Sequence, residues 1–298
     1  MNDMGVLLSE YRRYSELLRG RLGAVRWMGI ESESLKAVQV ERGIVYAQAI
    51  TDPRQYEPQS VDRLIEIASS PRLADMAVID RTGHHRPIYR ALLVYSWLRA
   101  FGLMYEILPR SEFGRWEEGL RPWCDLLESD LGEIDWPTGA MPAGRGATAT
   151  QAAWIALALH AAGKIYIRDA WTDLAGDVFG KLSHAQNPDG SFLLAGVSDN
   201  PESHWFHELV LLHAASSYAV QAEDKLVAAA VLKNTRFQQQ QVQPDHATTQ
   251  PWGLFAFVWN PRTRDFAGQM LHAATITDST ISLMLLADAL YCLELFLK

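Results

Sequence analysis

The chain is predicted to be all-α. Apolar residues recur at three- and four-residue spacing through most of its length, and strict alternation over four or more residues is hard to find. Segments that are apolar nearly all round also alternate along the sequence with segments that are apolar on one face only. The 298 residues are 48% hydrophobic and 21% charged, enough apolar material for one large core or two modest ones.

The spacing predicts helices over 6–22, 35–50, 61–68, 87–108, 112–130, 150–162, 170–184, 204–221, 223–237 and 280–297. Gln151-Ala-Ala-Trp-Ile-Ala-Leu-Ala-Leu-His160 and Ile281-Ser-Leu-Met-Leu-Leu-Ala287 are apolar all round, so each must be covered on more than one side. The stretches from Phe113 to Trp123 and from Ala170 to His184 carry charge along one side and should face water. This alternation suits a closed ring of helical hairpins, an inner barrel of buried helices wrapped by outer ones; an irregular bundle or a solenoid would alternate similarly. We expect a single α/α toroid domain over 1–298.

Two segments interrupt the helices. Gly132 to Gly146, with Pro137, Pro142 and four glycines, reads as a loop between hairpins. The segment 238–275 combines a glutamine run, Pro244, Pro251 and Pro261 with the aromatic stretch Trp252-Gly-Leu-Phe-Ala-Phe-Val-Trp259. A connection of that length is expected to be a long loop or lid, a site-forming loop, or a small element buried in the domain.

Charge and cysteine content narrow the function. Lys plus Arg is 27 against 35 for Asp plus Glu, a net charge of −8, so general nucleic-acid binding is not expected. Cys124 and Cys292 stand alone, outside any Cys-x-x-Cys or Cys/His cluster, which argues against a zinc ribbon or a disulfide scaffold and for a reducing compartment. The first residues lack the basic and apolar regions of a secretory signal, and the most apolar stretch, Ile281 to Leu297, contains Asp288 and Glu294. We therefore expect a cytoplasmic protein without a transmembrane segment; contact with a membrane surface stays open, as does the oligomeric state.

Two passages bring a family into view. Gly146-Ala-Thr-Ala-Thr-Gln-Ala-Ala-Trp-Ile-Ala-Leu-Ala-Leu-His-Ala-Ala-Gly163 resembles the Ser-Thr-x-Ser-Gln-Thr-Ala-Trp-Ala-Leu helix of squalene-hopene cyclases and related terpenoid cyclases. Gln186-Asn-Pro-Asp-Gly-Ser-Phe192 is similar to the same family's repeated Gln-x-x-x-Gly-x-Trp/Phe motif. The resemblance covers Gly146 to Phe192 and implies an α/α toroid of the terpenoid cyclase and protein prenyltransferase superfamily. Both motifs read as fold-bearing. Thr148-x-x-Gln151 fits a capping box, Trp154 should pack in the core, Gly190 should supply a positive-φ turn, and Gln186 can bond the free ends of neighbouring helices.

The resemblance also implies an acid. The cyclases start an inner helix with Asp-x-Asp-Asp-Thr-Ala, whose middle Asp protonates a double bond or epoxide; here Ile276-Thr-Asp-Ser-Thr-Ile281 keeps Asp278 and Thr280. A lone carboxyl in an apolar mouth would have a raised pKa suited to a general acid, and Asp278 is equally placed to cap the helix beginning near Thr280. Asp278 follows the Gln151 helix, whereas the family's acid precedes it, and no Asp-x-Cys matches the prenyltransferase zinc ligands. No cofactor or metal is expected.

Other polar groups complete the candidate site. In Ser203-His-Trp-Phe-His-Glu208, His204, His207 and Glu208 share one helical face and suit a metal or a proton-transfer pair, with Trp205 beside them. Gly83-His-His-Arg-Pro-Ile-Tyr89 precedes an apolar helix with Pro87 in its first turn, and His84, His85, Arg86 and Tyr89 would receive an anion there. Asp245 and His246, near Trp252, are placed to close over the same mouth. In a ring, Arg86, His204 and Asp278 would meet at the starts of inner helices.

Three functions fit these residues. The first is acid-initiated chemistry on a small, largely apolar isoprenoid, with Asp278 as acid and Tyr89, Trp205 and Trp252 stabilising a cation. The second is a carbohydrate-active lyase or hydrolase using His84, His85, Arg86, Tyr89, His204, His207 and Glu208. The third is a non-catalytic binding or scaffold protein on the same fold.

Overall fold

The protein is all-α among the residues that its structure, a computed structural model, describes. These are 86–104, 110–133, 146–192, 201–240, 251–264, 266–268, 270 and 280–297, together with Arg13 and Glu16, both helical. The helices expected over 35–50 and 61–68, and the rest of 6–22, lie outside them.

The described helices are α1 (Arg86–Met104), α2 (Arg110–Glu133), α3 (Gly146–Tyr166), α4 (Asp169–His184), α5 (Pro201–Ala222), α6 (Lys225–Gln239), α7 (Leu254–Trp259) and α8 (Thr280–Leu297), with a 3-10 turn at Pro261–Thr263 after α7. Buried and amphipathic helices alternate as the periodicity predicts. Ala152 to Gly163 of α3 and His207 to Ala219 of α5 are buried on every side. In α4, Trp171, Ala175, Val178, Phe179 and Leu182 are buried while Asp169, Asp173, Asp177 and Lys181 face water. The longest amphipathic helix, α2, runs through Pro122 because that residue lies on its exposed side, and Trp116, Leu120, Trp123, Cys124 and Leu127 make its buried face.

Side-chain pairs fix the directions of these helices. Thr150 meets His207, Trp154 meets Val210 and His213, and His160 meets Tyr218, so partners rise together along α3 and α5. Tyr95 with Asp288 and Arg99 with Tyr291 do the same for α1 and α8, as do His213 with Asp288 and Ser217 with Cys292 for α5 and α8. The four apolar helices are therefore mutually parallel. The amphipathic ones run back: Trp97 and Phe101 of α1 meet Trp116 and then Phe113 of α2, and Gly163 and Tyr166 of α3 meet Thr172 and Trp171 of α4. Likewise Ala219 of α5 bonds Asp224 just ahead of α6, and Glu208 bonds Asn234 far along it. An inner layer of parallel helices with an outer layer of antiparallel returns is what the described residues establish; closure into a ring is not.

Several local features differ from the sequence reading. The helix carrying Trp154 begins at Gly146, so Thr148 lies inside its first turn instead of capping it from outside. Gly132 and Glu133 still belong to α2, which shortens the expected 132–146 loop from both ends. The aromatic stretch holds the short helix α7, with residues 251–257 buried, packed among α5, α6 and α8. Periodicity misses α7 because a six-residue helix that is apolar all round between two prolines shows no face. Among the described residues, no helix is long and apolar enough to cross a membrane.

The α3–α4 and α5–α6 hairpins turn alike. Each uses one residue in the left-handed region, Ile167 (φ 52°) and Glu223 (φ 55°), followed by an extended residue, Arg168 or Asp224. Asp224 then caps α6 by accepting from the Leu226 and Val227 amides. Ile167 is 87% exposed, so no packing repays the strain of a β-branched residue there. Ile167→Asn is expected to raise stability by about 1 kcal/mol in urea denaturation; a decrease would show that the turn is not strained.

Candidate functional site

The inner layer holds a buried polar network at its centre. Asp288 of α8 is 2% exposed and accepts hydrogen bonds from the Tyr95 hydroxyl of α1 and the Ser217 hydroxyl of α5. Its Oδ2 also lies 3.2 Å from His213 Nε2 of α5. The Gly253 amide donates to the other ring nitrogen, Nδ1, at 3.2 Å, so the ring is held from both sides. Gln221 Nε2 donates to the Tyr95 hydroxyl at 2.7 Å, and the Cys292 thiol lies 3.9 Å from Ser217.

Burial alone would raise the pKa of Asp288, but the bond and then the charge of His213 beside it, followed by the bonds from Ser217 and Tyr95, outweigh it and hold the carboxyl below its usual range. The same burial, with the negative charge of Asp288 beside them, pushes the Tyr95 hydroxyl and the Cys292 thiol well up. This centre therefore offers one carboxylate, an oriented imidazole and neutral hydroxyl and thiol donors. Aromatic rings wall it in. Trp154 stacks on His213 at 5.6 Å between centroids, and Trp252 meets Trp154, His213 and Phe206 edge to face. The Trp154 indole N–H bonds the Val210 carbonyl, which seats it in the core as the sequence predicts.

The His/Glu cluster of α5 divides between two neighbours. His207 Nδ1 lies 3.1 Å from the Thr150 hydroxyl of α3. Glu208 is fully buried and accepts from the Phe192 amide at 3.2 Å and from Asn234 Nδ2 of α6 at 2.9 Å. Through those bonds Glu208 fastens the turn of Gln186 to Phe192. Gly190 has the positive φ expected of it, 102°, and a Cβ there would lie 2.7 Å from the Lys233 carbonyl oxygen. Asp189 accepts from the Ser191 amide to close the turn, and Gln186 Nε2 donates to the carbonyls of Gly190 and Ala230. Ala230 lies inside α6, so Gln186 ties the turn to the body of a helix, where the sequence reading expected the free ends of neighbouring helices.

The other expected site residues are placed as follows. Arg86 and Tyr89 lie in the first turn of α1, and His204 and Trp205 in the first turns of α5, with side chains outside the described ones. His84, His85, Asp245, His246 and Asp278 lie outside the described residues. Trp252 is fully buried in the aromatic wall. Sequence reasoning did not single out Tyr95, His213, Ser217 or Asp288. The available signal was a lone polar residue in the middle of an apolar helix, His213 in Leu209-Val-Leu-Leu-His213 and Asp288 in Leu285-Leu-Ala-Asp288. Among the described residues, no group of three or more His, Cys, Asp or Glu could hold a metal ion.

At the far end of the inner layer basic groups gather. Lys164 of α3 donates to the Gln221 carbonyl near the end of α5, and Arg99 lies over the Tyr291 ring at 4.0 Å. His160 is 4% exposed, and neither of its ring nitrogens makes a well-formed hydrogen bond. Burial, and behind it the charges of Lys164 and Arg99, push its pKa from 6.5 down to about 4. The unfolded chain then takes up this proton first as pH falls, so stability present above pH 6.5 is lost progressively toward about pH 4. We expect this group to cost about 3 kcal/mol across that window, and His160→Leu to flatten the stability profile by a comparable amount. A variant whose urea-denaturation profile follows wild type through those pH values would contradict it. No family model, curated protein or solved structure matches the chain, so what its site can do rests on its own residues.

Proposed function

We propose that the chain forms an α/α toroid similar to those of the terpenoid cyclase and protein prenyltransferase superfamily, and that it carries out acid-initiated chemistry on a small, apolar isoprenoid. The observation behind this reading is the topology: parallel apolar helices α1, α3, α5 and α8, with α2, α4 and α6 running back outside the first three. The Gln186 turn, bonded to α6 through Gln186 and to α5 through Glu208 and closed by a positive-φ glycine, supports it at the level of motif.

Parallel inner helices have a chemical consequence. Their N-termini gather at one end, where the summed partial positive charge of the unpaired amides favours an anionic group. Arg86 and Tyr89 belong to the first turn of α1, His204 to the first turn of α5, and Asp278 precedes α8 by two residues. Asp278 gives a proton to a double bond or epoxide of the substrate, and aromatic faces such as Tyr89, Trp205 and Trp252 stabilise the resulting cation. The proton lost at the end of the reaction goes to a base near the same end, for which His207 beside Thr150 is the described candidate.

Asp278→Asn tests the assignment. Asn keeps the ability to cap a helix, so the variant should lose turnover of prenyl substrates while its stability stays within about 1 kcal/mol of wild type. Undiminished turnover by the variant would remove Asp278 as the acid, and turnover of glycan but not prenyl substrates by wild type would remove the isoprenoid reading.

A further inference from the structure

We draw no further inference here: the strongest candidate, the cluster of Arg99, His160 and Lys164 at the far end of the inner layer, is joined only through shifted pKa values, while its geometry shows contacts within the chain, Lys164 bonded to the Gln221 carbonyl, Arg99 over the Tyr291 ring and His160 against the Tyr218 ring, and nothing that points to a ligand.

Discussion

The buried carboxylate of Asp288 constrains the inner layer more than any other group. A charge in an apolar interior is tolerated only with partners in place, and those partners come from different helices: Tyr95 from α1, His213 and Ser217 from α5. Trp154 of α3 adds its ring to the face of His213. Helices that are apolar all round can slide past one another with little change in buried area, because one turn of Leu and Ala resembles the next. A shift of one turn, about 5.4 Å, would strand Asp288 and its donors, so the network sets the register that hydrophobic packing leaves loose.

The two ends of that layer differ in kind. Where the inner helices finish, their carbonyl ends meet the chain's own cations: Lys164 bonds the Gln221 carbonyl, and Arg99 sits against Tyr291 on α8. Where they begin, the unpaired amides carry the opposite partial charge and favour an anion. This polarity follows from the helices being parallel, and the proposed function draws on it. The central network lies between the two ends, with His213 linking the helix register to the seat of the aromatic stretch.

The architecture was legible in the sequence because burial writes a period into it. The one-faced pattern of Ala170 to His184 and the mostly apolar run after Ile281 each became a helix of the expected kind, and α8 spans the residues the pattern marks. The Gln186 turn was legible because a positive-φ glycine and an Asx turn have sequence signatures. The central network was not. Tyr95 and Asp288 are 193 positions apart, and His213 and Asp288 are 75 apart, so no local spacing links them. Glu208 shows a related difficulty: helical spacing put it on one face with His207, yet Glu208 bonds α6 and the turn while His207 meets Thr150 of α3.

The most direct test of this account is the stability of Asp288→Asn measured by urea denaturation at neutral pH. The substitution keeps the shape and removes the charge that gathers Tyr95, His213 and Ser217, so the account predicts a loss of about 3 kcal/mol or more. A variant within about 1 kcal/mol of wild type would contradict it, because the inner layer would then hold its register through apolar packing alone.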